Sequence, residues 1–160
     1  MASDEQKLTD LAERQQAVTH LVSNARRRIY LLSDELEPDL YDQIDFIESC
    51  KQAVIRHHAC HMNILIKRSE KLRQMEHRLL ELIQRLPSRI ELKICHDNDK
   101  SLAESWLVID ESSYYYQPRA TGVAARLQTD SPRTAKDLCR RFEKIWDAAS
   151  YDTSMRRLSL

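Results

Sequence analysis

Apolar residues in this chain switch repeatedly between helical spacing and short β-prone runs. Helical spacing recurs about every 3.6 residues, whereas a buried strand shows a continuous run of about four to eight apolar positions. The predicted helices are residues 6–26, 40–58, 69–86 and 132–149, and the predicted strands are residues 28–33, 62–67, 90–94, 106–109, 114–116 and 123–127. This order predicts an α/β fold in which a mixed β-sheet is flanked by helices on both faces.

The chain has the length of one ordinary domain. It has 160 residues, and its single glycine and four prolines leave little material for a flexible linker. We therefore expect one domain over residues 1–160, with a core over residues 10–150 and a tail over residues 151–160. In the last helix, we expect Trp146 to face the core.

The overall charge gives no general attraction to polyanions. The 25 basic and 25 acidic side chains sum to a formal charge of zero, so nucleic acid is not expected as a partner. No apolar run is long enough to span a bilayer, and the first residues do not resemble a secretion signal. We expect a cytoplasmic protein with no membrane partner.

The cysteines and histidines predict no metal centre. The four cysteines, Cys50, Cys60, Cys95 and Cys139, never form a Cys-x-x-Cys pair, and we expect reduced, structural thiols and no cofactor. The segment 57–61, HHACH, contains zinc-type ligands, but no second ligand cluster accompanies it. The alternative interpretation is a helix end whose carbonyl groups face these histidines.

The order of elements and four local strings resemble one lobe of the phospholipase D superfamily. The strings are residues 28–33 (RIYLLS), 63–66 (NILI), 106–110 (WLVID) and 142–146 (FEKIW). The resemblance covers about residues 10–150 and implies a phospholipase D-like lobe. Members usually bring two lobes together, so for a chain with room for one lobe it also implies a homodimer.

The residues that this superfamily uses for catalysis are missing. Its motif is His-x-Lys-x-x-x-x-Asp, and alignment of the aspartate on Asp110 places Ala103 and Ser105 at the histidine and lysine positions. The family's histidine attacks phosphorus and its lysine stabilises phosphate charge, which a methyl group and a hydroxyl group do not do well. Residues 116–120 (YQPRA) stand where the family has Gly-Ser and Asn. We therefore expect no catalytic residues.

A closer resemblance is to a proteobacterial family of unassigned function with a degenerate fold of this type. It is carried by residues 77–88 (HRLLELIQRLPS) and by the tail 156–160 (RRLSL). This resemblance implies a bacterial cytoplasmic protein and supplies no activity.

A shallow polar cleft at the strand ends is the predicted ligand site. The candidate ligand-binding residues are Asp34, Lys67, Arg68, His77, Arg78 and Tyr115. Lys67 and Arg68 follow a predicted strand, where a small anionic ligand would meet basic side chains. His77 is either a cleft-facing residue or a hydrogen-bonded histidine at the edge of the core. Tyr115 lies in a run of three tyrosines that suits either a stacking platform or a half-buried strand.

The first functional hypothesis is a non-catalytic binding or assembly module. A second is a hydrolase or phosphodiesterase of altered mechanism that uses His96, with Lys100 and Asp110, or the segment 57–61. A third is a nucleic-acid-binding domain that uses the basic third helix. For the homodimer, the acidic stretch 34–48 and the basic third helix would meet across a two-fold axis.

Overall fold

The computed structural model describes residues 4–119 and 124–152. In chain order the elements are β1 (Gln6–Leu8), α1 (Leu11–Ser23), β2 (Arg28–Ser33), α2 (Pro38–Tyr41), α3 (Ile44–Arg56), β3 (His61–Ile66), α4 (Glu70–Gln74), α5 (Arg78–Arg85), β4 (Ile90–Ile94), β5 (Ser105–Ile109), β6 (Ser113–Gln117), β7 (Ala125–Gln128) and α6 (Pro132–Ala148). A short 3₁₀ turn, Asp97–Asp99, lies between β4 and β5.

The strands form one mixed sheet in the order β1-β7-β6-β5-β2-β3-β4. β2, β3 and β4 are parallel neighbours joined through helices, whereas β5 runs antiparallel to β2 and continues into antiparallel β6 and β7. The carboxyl ends of β2 and β3 therefore lie at the same end of the sheet as the start of β5. Leu32 and Trp106 are register partners near that end.

Helices cover both faces of the sheet, as the sequence predicts. One hydrophobic cluster joins α1, α3 and α5 to one face through residues such as Val18, Phe46 and Leu79. The second cluster lies under α6, where Leu138 and Phe142 contact the opposite face. The Phe142 ring stacks on Tyr30 with centroids 4.3 Å apart. The predicted fold class is thereby confirmed.

The helix boundaries correct the sequence predictions in three places. The predicted helix 40–58 begins only at Ile44, after the separate short helix α2, and ends at Arg56. The first helix begins at Leu11 because the Asp10 carboxylate accepts the Glu13 N–H at 2.8 Å, and residues 6–8 instead pair with β7. The predicted third helix is two helices, α4 and α5. His77 starts α5 as its cap, so the helix breaks even though the apolar spacing continues across it.

The last helix and the chain end differ from prediction in detail. Trp146 packs only partly against the core under α6, with one face toward Phe142 and the other under the Lys93 ammonium at 4.6 Å. The expectation that it faces the core therefore holds only in part. Ser150 pairs with Ile94 at the edge of β4. The predicted strand residue Val123 and the string 156–160 lie outside the described residues.

The four cysteines are free and buried, as predicted. Burial raises the pKa values of Cys60, Cys95 and Cys139 to about 11 and raises the pKa of Cys50 further. Thiols with such raised pKa values are poor nucleophiles at neutral pH. Within residues 4–119 and 124–152, no helix is long and apolar enough to cross a membrane.

Candidate functional site at the strand ends

The aspartate that aligns with the phospholipase D motif has a structural role. Asp110 follows β5 with a positive φ of 52°, and its carboxylate accepts three backbone N–H groups, from Arg26 at 2.9 Å, Arg27 at 2.8 Å and Arg28 at 2.9 Å. These bonds tie the end of β5 to the start of β2, which lie 82 to 84 positions apart in sequence. Asp110 therefore fixes two strands at the end of the sheet opposite to the start of β5.

The other two motif positions lie around the start of β5, at what we call the motif end (residues 33–37, 67–71 and 102–105). Ala103 precedes the strand and Ser105 is its first residue. The buried Lys67 ammonium donates to the carbonyl oxygens on both sides of Ala103, those of Leu102 at 2.7 Å and Glu104 at 2.6 Å. Lys67 thus anchors the backbone at the former histidine position rather than facing a ligand.

Burial lowers the pKa of Lys67, with the Asp34 carboxylate opposing that effect. The side chain is 1% exposed, so its charge is balanced by backbone dipoles and by nearby carboxylates rather than by water. Because the side chain is buried, a ligand phosphate could reach the third N–H of this ammonium only if the residues that cover Lys67 moved.

Glu104 closes the α6 side of the motif end. Its carboxylate accepts two hydrogen bonds from the Arg141 guanidinium, at 2.7 Å and 3.1 Å, and a third from the Tyr116 hydroxyl. The Arg141 bonds hold the pKa of Glu104 below its usual range, and burial raises the pKa of Tyr116 to about 12. The same guanidinium lies over the Trp106 ring, 4.6 Å from its centroid.

Carboxylates of the acidic stretch pair with basic residues of the same chain. Arg68 lies 3.8 Å from the Asp34 carboxylate, and Lys71 lies 3.2 Å from that of Glu35. Arg78 donates its backbone N–H to Asp42 at 3.0 Å and its guanidinium to the Asp42 carbonyl at 3.1 Å. We expected these acidic and basic side chains to meet across a dimer interface. In these pairs they instead contact each other within one chain.

A contact between buried Ser33 and partly buried Glu37 at this end was missed by sequence reasoning. The Ser33 hydroxyl accepts the Leu36 N–H at 2.9 Å and lies 3.2 Å and 3.3 Å from the two Glu37 carboxylate oxygens. Burial raises the pKa of Glu37. The spacing Ser-x-x-x-Glu before Pro38 could have indicated a local side-chain contact, because a proline starts a helical turn there.

His77 is a buried helix cap. Its Nδ1 accepts the Leu79 N–H at 3.1 Å, so the proton lies on Nε2, which faces the Leu36 carbonyl oxygen at 3.1 Å. Burial lowers the pKa of His77, while the Asp42 carboxylate works in the opposite direction. Beside it, a surface pocket of 480 Å³ is lined by residues that include His77, Arg78, Asp42 and Glu81. The imidazole is 1% exposed, so it meets this pocket only at its edge.

The tyrosine run is a sheet strand with its hydroxyl groups hydrogen-bonded. Tyr115 is buried and donates to the Gln117 side-chain oxygen at 2.9 Å. Tyr114 is also buried, and Tyr116 donates to Glu104. The rings of Tyr114 and Tyr115 therefore offer no exposed stacking platform.

The alternative catalytic groups do not come together. His96 lies at the start of the 3₁₀ turn before β5, where its Nδ1 accepts the Asn98 N–H at 3.1 Å, whereas Asp110 lies beyond the other end of β5. In the segment 57–61, Cys60 is buried and His61 Nδ1 lies 3.1 Å from the Ala59 carbonyl oxygen. Among the described residues, no group of three or more histidine, cysteine or acidic side chains is placed to hold a metal ion.

The fold defined by this sheet is that of the phospholipase D superfamily. Nuc from Salmonella typhimurium, a phospholipase D family member, superposes with a TM-score of 0.64 at 11% identity over 91% of this chain and 95% of its own. NucT from Helicobacter pylori superposes with a TM-score of 0.62 at 11% identity over 93% of this chain and 98% of its own. The archaeal chromatin protein TrmBL2 superposes with a TM-score of 0.68 at 13% identity over 94% of this chain. The matched part is only 55% of the length of TrmBL2.

The family itself is shown by sequence. Residues 10–158 match the model of the domain of unknown function DUF7931, and the chain belongs to that family. No curated protein matches the chain.

Proposed function

We propose that this chain is a non-catalytic binding or assembly module on a phospholipase D-like scaffold. The observation that carries the proposal is the use of the motif end by the fold. Ala103 and Ser105 replace the nucleophile and its lysine, and the nearby Lys67 ammonium is bonded to the backbone around Ala103. A phosphodiester placed there would meet a methyl group at position 103 and a hydroxyl group at position 105, which supply neither a nucleophilic imidazole nor a positive charge.

The carboxylate that aligns with the motif supports the same proposal. Asp110 accepts three backbone N–H groups at the far end of β5, so hydrogen bonds that hold the fold together already engage its carboxylate oxygens. The other titratable candidate, His96, has its Nδ1 engaged by the Asn98 N–H. The second hypothesis, an altered hydrolase, therefore has no assembled acid–base pair to support it.

Turnover of generic phosphodiesters tests the proposal. Purified protein is incubated with bis(p-nitrophenyl) phosphate and with single-stranded DNA, alongside a phospholipase D family nuclease as a positive control. We expect release of nitrophenol and of nucleotides at the rate of the buffer blank. Turnover that is abolished by His96→Ala would overturn the proposal, since no contaminant would respond to that substitution.

We also propose that the module is a homodimer. Support comes from the single lobe of a fold whose members usually pair two lobes, and not from charge, because Asp34, Glu35 and Asp42 already pair within the chain. We expect light scattering to give twice 18.8 kDa at micromolar concentration, with little change as salt rises. A mass of 18.8 kDa would reject the dimer.

The predicted small anionic ligand would need Arg68 or Arg78 to leave its carboxylate partner. Both guanidinium groups are more than half exposed, at 62% and 51%, so such an exchange costs little. Inorganic phosphate titrated into the protein, followed by amide chemical shifts at these residues, tests this part of the proposal. Shifts that occur elsewhere, or nowhere, would reject it.

A further inference from the structure

The formal charge of zero conceals an uneven distribution of charge along the sheet. At the end where β2 and β3 begin, five basic residues are exposed. We call this surface the basic end, and it consists of Arg26, Arg27, Arg56, His58 and His61. It lies at the opposite end of the sheet from the motif end, because β2 and β3 run from one to the other.

Hydrogen bonds join the chain segments of the basic end. The His61 N–H donates to the Arg27 carbonyl at 3.2 Å, and His61 is the register partner of Arg28. The Arg89 guanidinium joins the end of α3 to this edge by donating to the carbonyl oxygens of Val54 at 2.9 Å and His57 at 2.8 Å. The arginines before β2 and at the end of α3 therefore lie on chain segments that are joined by hydrogen bonds.

The neighbouring carboxylates do not neutralise these arginines. Asp110 directs its oxygens at three backbone N–H groups, and the Glu111 carboxylate lies 2.8 Å from the Arg28 guanidinium. Within residues 4–119 and 124–152, no acidic side chain forms a hydrogen bond or ion pair with the guanidinium groups of Arg26, Arg27 or Arg56. Among the described residues, the guanidinium groups of Arg26, Arg27 and Arg56 are therefore not paired with an acidic side chain.

We propose that the basic end binds the phosphate backbone of a nucleic acid. A guanidinium group can donate two parallel hydrogen bonds to one phosphate group. Here the guanidinium groups are carried by two separate chain segments on one edge of the fold. Such a spread matches a repeating phosphodiester backbone, whereas a single small anion is bound by groups that converge in a cavity. The exposed imidazole of His58 adds a hydrogen-bond donor beside the arginines. This surface is separate from the motif end and does not depend on the proposed function there.

Fluorescence anisotropy with a labelled DNA duplex of about 20 base pairs tests the proposal, because each phosphate contact adds nearly one unit to the salt dependence of binding. For the wild type, we expect the logarithm of the association constant to fall with the logarithm of salt concentration with a slope of about −3. The variant Arg26→Ala/Arg27→Ala/Arg56→Ala should bind at least about tenfold more weakly and lose most of that slope.

A matched variant removes the same charge from elsewhere. Arg133→Ala/Lys136→Ala/Lys144→Ala deletes three exposed cations of α6 and should bind DNA as the wild type does, apart from a small general effect of net charge. Loss of binding in this control alone would overturn the proposal. Arg56→Ala, a single exposed change, gives a second measurement if the triple variant does not fold.

The partner class is decided in the same assay. Absence of duplex binding by the wild type at low salt overturns the proposal, and so does binding to phosphatidylserine vesicles without binding to duplex. Equal affinity of the wild type and the basic-end triple variant would overturn it as well.

Discussion

Both ends of the sheet contain basic and acidic side chains. At one end these side chains are bonded to other groups of the fold, and at the other end several basic side chains are exposed. At the motif end, Glu104 binds Arg141, and Lys67 is buried against two carbonyl groups. At the basic end, the Asp110 carboxylate binds backbone N–H groups, and the side chains of Arg26 and Arg27 stay exposed. Residue type alone therefore does not locate a binding surface here. What matters is whether each charged side chain already has a partner within the fold.

The largest expected effect follows from the role of Asp110 at the basic end. Asp110→Ala removes the acceptor for three backbone N–H groups, and we expect a loss of about 3 kcal/mol in the free energy of unfolding. Asp110→Asn keeps the oxygen that can accept from Arg27 and Arg28, so it should lose only about half as much. Urea denaturation measures both. Equal, small losses would show that water replaces the carboxylate and that the strand ends are not held by it.

The next effect concerns pH and the buried cap near the motif end. The pKa of His77 is lowered in the folded protein, so the unfolded chain binds more protons below about pH 6.5 and stability falls as pH falls through that range. His77→Asn can still cap α5 but cannot take up a proton. We therefore expect the variant to lose about 1 kcal/mol at pH 7.5 and to lose less than the wild type on going to pH 5.

Denaturation across this pH range checks the prediction, with His96→Asn as the matched control. His96 also caps a turn through Nδ1 but is exposed. If the His77 and His96 variants show the same pH dependence, burial of His77 is not responsible for the effect.

A smaller effect is expected for the pair that closes the motif end. A double-mutant cycle with Glu104→Gln and Arg141→Gln should give a coupling of about 1 kcal/mol, reduced because both side chains are partly exposed. Because Arg141 lowers the pKa of Glu104, this stabilisation is present above the usual glutamate range and is lost as pH falls through the lowered pKa. The exposed Asp137–Arg140 pair, with atoms 3.4 Å apart, serves as a control. A coupling no larger than the control's would mean that the bidentate geometry adds nothing.

The fold was predictable because the apolar spacing follows each burial surface. Strands such as residues 62–66 are buried on both faces and appear as continuous apolar runs, whereas α6 shows a stripe. The break between α4 and α5 was not predictable in this way, since Leu72 and Leu79 keep helical spacing across it. The break depends on the hydrogen bonds of His77, one of which reaches Leu36, 41 positions away.

The candidate site was predictable only as a set of residues. The sequence places Lys67 and Arg68 after a strand, and both lie at the carboxyl end of β3. It could not show that Lys67 would turn to carbonyl groups 35 and 37 positions away, because that contact depends on where the antiparallel strand β5 joins the sheet. The basic end was missed for a related reason: Arg27 and His61 are neighbours only through β2–β3 pairing.

The turnover of bis(p-nitrophenyl) phosphate by the variant Ala103→His/Ser105→Lys tests most directly whether the charged groups of the motif end are already used by the fold. This variant restores the two missing side chains but leaves Lys67 on the backbone and Glu104 on Arg141. We predict turnover at the buffer rate in a variant whose melting temperature shows that it is folded. Turnover well above that rate in the double variant, together with none in the single variant Ser105→Lys, would contradict the account. It would show that only two side chains separate this chain from a phosphodiesterase.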